Sequence, residues 1–293
     1  MTLLAETCLA GIAVGAVYGL VALGFVLIFK SSGVLNIAQG ALVMCGAFIC
    51  YALAGQAKLP FWLAVVLTAV LAMLFGALIE RVFLRRMVGQ PLLGVIMMTI
   101  ALLSILVGLA QTIYGSDFYS YPPYLPSEPL HLGGITFSWV YFLAVVASAI
   151  LLPVFAIFFK RHRMGIAMRA TADDQQAAQS LGIRVESVYS AAWALSCLTA
   201  AIGGIVLGTI TGVFYGLDFV GLKVFPAVVV GGLDSIAGGV IGGIIVGVLE
   251  NLAGSYLDPI LAGFKETFPF IILLLVLILR PYGIFGLERI ERI

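Results

Sequence analysis

The sequence predicts an all-α fold, a polytopic bundle of membrane helices forming one domain over residues 1–293, and three observations carry that prediction. The chain is 62% hydrophobic and 10% charged, with a mean hydropathy of +1.18, whereas soluble domains hold about a quarter charged residues. Apolar runs recur at lengths near the ~20 residues a helix needs to cross a bilayer core. Cations gather at the ends of those runs: residues 91–159 contain no lysine or arginine, yet Lys160, Arg161, Arg163 and Arg169 follow, with His162 among them. Cationic loops resist translocation, so such clusters mark the cytoplasmic ends of spans.

The first run, Leu3 to Phe29, is longer than the apolar core of a signal peptide and has no cation ahead of it, so it reads as a retained helix. Further spans are expected at Val34 to Ala54, Phe61 to Leu84, Leu92 to Tyr114, Phe137 to Phe159 and Val188 to Val213. The last, Phe268 to Leu279, is short and can begin nearer Leu261. With residues 219–257 the total is about eight to nine crossings, including a broken or re-entrant one. There the apolar stretch from Lys223 breaks at Gly231, Gly232 and Asp234 before the glycine-rich Ile236 to Leu249. Two short tilted spans, or a re-entrant half-helix followed by a return, both fit. Broken backbone at membrane depth survives only against protein or a watery cavity.

Placing Arg81, Arg85 and Arg86, the Lys160 cluster, and Arg280, Arg289 and Arg292 in the cytoplasm leaves the N-terminus and the loop Gly115 to Ile135 outside. That loop holds Tyr119, Tyr121, Tyr124, Pro122, Pro123, Pro126 and Pro129, a composition suited to a surface covering, as spacer or as receptor contact. Glu80 and Arg81 are expected to pair at the inner edge.

Glycines recur at every fourth position as Gly11, Gly15, Gly19, then Gly204, Gly208, Gly212, Gly216, then Gly239, Gly243, Gly247. One glycine face lets another helix backbone approach closely, so these are packing seams. Their presence in both halves, on spans running in opposite directions, points to an inverted repeat.

Several function classes are excluded. Net charge of +1 argues against a nucleic-acid partner. There is no phosphate-binding G-x-x-x-x-G-K-[ST] and no G-x-S-x-G. His131 and His162 are the only histidines, so no metal cluster of the usual spacing is expected, and Cys8, Cys45, Cys50 and Cys197 lie in apolar segments as packing residues. Asp173 and Asp174 lack the second acidic motif a metal-dependent membrane transferase would need.

Residues 160–188 read instead as a cytosolic docking loop. Thr171 is expected to cap a short helix with Asp173 and Asp174 in its first turn, where carboxylates face the positive helix end, and Gly182 to stop it after Leu181. Ala177, Ala178 and Leu181 would form its small contact face, with Arg169 close by. A solvated connection is the plainer reading of the same residues.

The run Gly19-Leu-Val-Ala-Leu-Gly24, then Val34-Leu-Asn-Ile-Ala-Gln-Gly40, resembles the opening motif of permease subunits of branched-chain (hydrophobic) amino acid ABC importers. Met168-Arg-Ala-Thr-Ala-Asp-Asp174 with Ala178 and Leu181-Gly-Ile183 resembles that family's coupling segment. Pro226 to Gly243 resembles its late glycine-rich segment, and Arg280-Pro-Tyr-Gly-Ile-Phe-Gly286 its ending. The opening looks more like the H-type subunit than the M-type. Where the family often has an aromatic and then His-Gly-Asp, this chain has Ile37, Gln39, Gly40 and Ala41, leaving the solute open among branched-chain amino acids, urea, short amides and aromatic acids.

The resemblance implies a bacterial inner-membrane permease, non-enzymatic and without a cofactor of its own. Its partners would be an M-type permease subunit, two cytosolic ATPases that bind ATP, a periplasmic binding protein, and lipid. Polar groups at membrane depth are costly unless they face a cavity or pair internally. By that rule Asn36, Gln39, Thr99, Ser104, Gln111 and Asp234 are the path-lining candidates. Thr99 and Ser104 can also bond their own helix, and Asn36 and Gln39 can also cap the second span. The competing function is an ion-coupled secondary transporter or channel for a small polar solute, which should carry an embedded site such as paired carboxylates on a broken helix.

Overall fold

A computed structural model describes residues 2–87, 90–124, 130–132 and 135–286, with backbone alone at 2–3, 130–132 and 135–137. Its α-helices are α1 (Thr2–Ser32), α2 (Gln39–Tyr51), α3 (Phe61–Val82), α4 (Leu92–Tyr114), α5 (Trp139–Arg161), α6 (Arg163–Asp173), α7 (Gln175–Ser180), α8 (Val185–Thr211), α9 (Phe219–Gly231), α10 (Ile236–Tyr256) and α11 (Phe264–Leu279). The one named β-sheet among the described residues is a small antiparallel hairpin, β1 (Leu130–Leu132) and β2 (Ile135–Phe137). Among the described residues seven helices are long and apolar enough to cross a membrane: α1, α2 with its following turn, α3, α4, α5, α8 and α10.

α1 is the axis of the bundle. Its 31 residues extend about 46 Å at 1.5 Å per residue. Val17, Leu20, Val21, Ala22, Leu23 and Val26 are all buried, as expected of a helix that is apolar all round. α8 and α10 pack along it, with α5 and α9 beside them. α3 is one-sided: Ala64, Thr68, Ala72, Gly76 and Ile79 are buried at helical spacing, whereas Trp62, Val66, Val70, Leu74 and Leu78 are exposed. Small side chains thus face α8 and large apolar ones face outward, the pattern for a helix between protein and lipid.

Two of the glycine runs turn out to be halves of one contact. Gly11 meets Val248, Gly15 meets Ile244 and Gly19 meets Val240, so α1 and α10 run antiparallel with backbone against backbone. A Cβ on Gly15 would lie 2.7 Å from the Ile244 Cα, closer than any side chain can sit. The run on α8 is shorter than its sequence spacing suggests. Gly204 packs on Val43 and Ala47 of α2 and Gly208 on Tyr121. Gly212, with φ of +86°, terminates the helix, and Gly216 lies in the next turn. The expectation of a seam through Gly212 and Gly216 is therefore corrected: the helix carrying it has ended.

The second expected span begins late. Gly33, with φ of +71°, stops α1, and Val34 to Ala38 are not helical although their apolar character reads as helix. Residues 219–257 resolve into a half-helix and a full return. α9 has 13 residues, about 20 Å; Gly232, with φ of +103°, breaks it, and Ser235 caps the 21-residue α10 by accepting the Gly238 N–H at 3.0 Å.

At the end of the bundle where α8 stops, tyrosines tie a covering segment down. Tyr119 and Val213 exchange backbone hydrogen bonds of 2.9 and 2.8 Å, and the Tyr121 hydroxyl donates to the Ala47 carbonyl at 3.0 Å. Tyr124 bonds Thr209 at 2.7 Å and stacks on Phe61. Burial, with Cys50 and Tyr124 adding to it, pushes the Tyr121 phenol well above the usual range, so it keeps the proton it donates. Pro126, Pro129, Arg289 and Arg292 lie outside the described residues. At the opposite, basic end Glu80 pairs with Arg85 at 3.0 Å and not with the expected Arg81; Arg85 also reaches Glu186 at 3.2 Å. Arg85 lies in the turn after α3, one that lets its guanidinium fold back onto the buried carboxylate. All four cysteines are free.

Candidate translocation site

The break between α1 and α2 brings polar side chains into the middle of an apolar bundle. Asn36 Oδ1 accepts the Ala38 N–H at 3.1 Å, a local turn that holds the non-helical segment. Its Nδ2 donates to Gln39 Oε1 at 3.1 Å, and Ser196 Oγ of α8 donates to the same oxygen at 2.9 Å. Asn36, Gln39, Ser196 and Thr199 are fully buried, and Gln39 Nε2 has no hydrogen-bond partner. Gly24 of α1 closes the floor: a Cβ there would sit 2.9 Å from both the Ser196 and Thr199 hydroxyls and would collide with Gln39 Nε2. Ser196 lies roughly 16 Å along the ~40 Å of α8, so this latch is near mid-depth.

α9 starts beside it. Gly40, the second residue of α2, packs against the Asp218 carbonyl and Gly221, so two half-helices present their N-termini to one another. Each such end carries about half a positive charge. Asp218 brings a carboxylate to that place, one of whose oxygens is buried without a partner.

The predicted path residues are only partly assembled. Asn36 and Gln39 meet directly, and Thr99 Oγ1 accepts the Ile37 N–H at 3.4 Å while donating to its own Ile96 carbonyl. Neither Asn36 nor Gln39 caps α2 in the usual way, since Ala38 occupies the capping position with no side-chain bond. Ser104 bonds the Ile100 carbonyl on an exposed face of α4, and Gln111 is exposed there too. Asp234 sits at the basic end, where its carbonyl accepts from Lys30 at 3.3 Å. It lines an open cleft of about 700 Å³ with Lys30, Thr171, Asp173 and Tyr189. A smaller cavity of about 210 Å³ reaches Val34 and Trp193. Neither is lined by Asn36 or Gln39.

A second polar cluster centres on Glu250, which with Asn251 reads in the sequence as lining the route or anchoring the outer edge; its partners Lys223 and Glu266 were missed. Lys223 of α9 pairs with Glu250 of α10 at 3.3 Å and with Glu266 of α11. Glu250 is buried, whereas Glu266 is mostly exposed. A lysine inside an apolar helix was itself the signal, because a charge at membrane depth needs a partner. Among the described residues no three His, Cys, Asp or Glu side chains gather to hold a metal.

The family model described as the permease component of the branched-chain amino acid transport system matches residues 7–279. The chain belongs to this family. It is 30% identical over 301 residues to the high-affinity branched-chain amino acid transport system permease protein BraD of Pseudomonas aeruginosa, covering 97% of this chain and 96% of that one. It is 30% identical over 297 residues to LivH of Escherichia coli K12, with the same coverage. A probable LivH of Methanocaldococcus jannaschii is 26% identical over 218 residues, 73% of this chain and 69% of that one. No solved structure gives a significant match. The chain is thus a multi-pass transport subunit of the ABC importer permease kind.

In this permease the segment after α5 forms two helices. His162 Nδ1 accepts the Met164 N–H at 3.2 Å and starts α6. Asp174, not Thr171, caps α7: its Oδ1 accepts the Gln176 and Ala177 N–H groups at 2.8 and 2.9 Å. Thr171 instead bonds back to the Ala167 carbonyl, because α6 continues through it to Asp173. Gly182, with φ of +84°, ends the unit after Leu181 as expected. The expected face divides. Ala178 is 2% exposed and packs inward, whereas Ala177 and Leu181, one turn apart, point outward, Leu181 at 82% exposure. Arg169 is exposed on α6.

Proposed function

We propose that this permease is one half of the membrane path of an ABC importer for branched-chain amino acids or a related small solute. A second, M-type subunit forms the other half, and two cytosolic ATPases bind the ATP. A periplasmic binding protein delivers the solute. The full-length similarity to BraD and LivH is the observation that carries this reading. The geometry fits it, because a path through a packed bundle needs discontinuous helices and polar groups at mid-depth, and α2, α9 and the Asn36–Gln39–Ser196 latch provide both.

In this reading the basic end faces the cytoplasm of a bacterial inner membrane and the N-terminus faces outside. The exposed Ala177 and Leu181, on a helix capped by Asp174, receive the ATPases within residues 160–188. The latch then opens and closes as those helices move, and Asn36, Gln39 and Thr99 are the solute-facing groups. The chain-break-chain order of α1 with α2, and of α8 with α9, supports an inverted repeat of the two halves.

Reconstitution in liposomes tests the proposal. With ATPases, the M-type subunit and binding protein present, ATP should drive accumulation of leucine, isoleucine or valine, or of an amide in the same panel. Alone, the chain should accumulate none of them. Uptake by the isolated chain under a proton or sodium gradient would establish the ion-coupled alternative instead.

A further inference from the structure

A groove on the side of the bundle has the form of a lipid site. Leu152, Pro153, Ala156 and Phe159 form one face of α5, and Ile236, Ala237, Val240 and Ile241 one face of α10. Between them lies a cavity of about 490 Å³ whose remaining lining residues are Lys160 and Arg169. Pro153, inside the continuous α5, leaves no free N–H on that wall. The walls therefore offer apolar contact with no side-chain hydrogen-bonding group, over roughly 12 Å from Leu152 to Lys160.

The rim has the opposite character. Lys160 and Arg169 are both exposed, come from different helices, and form no ion pair or hydrogen bond among the described residues. No acidic residue lines the cavity. Two uncompensated cations stand where α5 passes from its apolar run into the basic segment, the depth at which a headgroup meets an acyl chain.

We propose that this groove binds one anionic phospholipid, an acyl chain lying between α5 and α10 and its phosphate between Lys160 and Arg169. The occupant follows from complementarity: the apolar wall belongs to membrane helices a soluble partner cannot enter, and the paired cations select a net negative headgroup over a zwitterionic one. Arg169 then couples the lipid to α6, the first helix of the proposed ATPase-contact segment.

The test uses the full-length permease in detergent, titrated with phosphatidylglycerol, with phosphatidylcholine of identical chains, and with inorganic phosphate, retained ligand being counted by native mass spectrometry. Two cations near the surface give an expected preference of about thirtyfold for phosphatidylglycerol. The K160Q/R169Q variant should drop to near parity, and A156W, which fills the groove, should retain neither lipid there; circular dichroism checks that each is folded. Equal retention of the two lipids by the unaltered protein overturns the proposal, a measurement that needs no variant. So does a preference that survives in K160Q/R169Q. Phosphate binding at the rim without lipid preference assigns the cations to a free anion and also overturns it. Loss of ATPase co-purification in K160Q/R169Q with lipid preference intact assigns the rim to a protein interface, with the same consequence.

Discussion

Gln39 accepts two hydrogen bonds through one oxygen, and replacing it should reveal how tightly the broken segment is fastened to α8. Gln39→Leu keeps the approximate volume but removes the acceptor shared by Asn36 Nδ2 and Ser196 Oγ. Interhelical bonds within a membrane average about 0.6 kcal/mol and reach about 1.7, so two are worth roughly 1–3 kcal/mol. The amide nitrogen already lacks a partner, and removing that unsatisfied group returns about 1 kcal/mol. The net expectation is a loss of about 1 kcal/mol, or about 2 °C in melting temperature for a chain of this size. Ser196→Ala should cost a similar amount alone. Combined with Gln39→Leu it should add almost nothing, because the bond it removes is already gone. Thermal scans of the four proteins in one detergent give the coupling directly. Additivity within about 0.3 kcal/mol, the behaviour of independent sites, would show that Ser196 and Gln39 do not act together and would refute the latch.

Gly15→Leu should destabilise by at least about 1–3 kcal/mol through overpacking against Ile244, whereas Gly108→Ala, with no atom nearby to meet the new methyl, should be within about 0.5 kcal/mol of the parent; the same thermal scans compare them. Lys223→Met leaves Glu250 buried without its cation and should cost about 3–5 kcal/mol, much of it recovered by adding Glu250→Gln; failure of that rescue would mean the pair is not what holds α9 to α10. Asp174→Ala removes the α7 cap at a cost of about 1 kcal/mol. Pull-down of the ATPases should weaken while membrane insertion is unchanged, and undiminished pull-down would count against α7 as their contact.

The spans were legible because run length and charge placement act over twenty residues at a time, as α3, α4 and α5 show. Boundaries set by single contacts were not. Val34 to Ala38 are apolar enough for helix, yet Gly33 and the Asn36 side chain hold them open. Likewise, the glycine spacing announced close packing but not the partner, since only the fold reveals that Gly15 meets the Gly243 and Gly247 face. Of the candidate site, Asn36 and Gln39 stood out as amides in an apolar context. Ser196 and Thr199 did not, because hydroxyls in helices usually satisfy their own backbone, as Thr199 also does. The Lys223 pairs join residues separated by the Gly232 break, which no local pattern foreshadows.

Backbone resting on backbone along α1 and α10 leaves no rotamers there to yield, so those two helices should travel as a single stiff beam. Whatever flexing accompanies turnover must then fall on joints cushioned by side chains, such as the long flank between α4 and its few neighbours. Spin labels at the solvent ends of α1 and α10 would keep one separation throughout the cycle, while a pair spanning α1 and α4 would report the stroke.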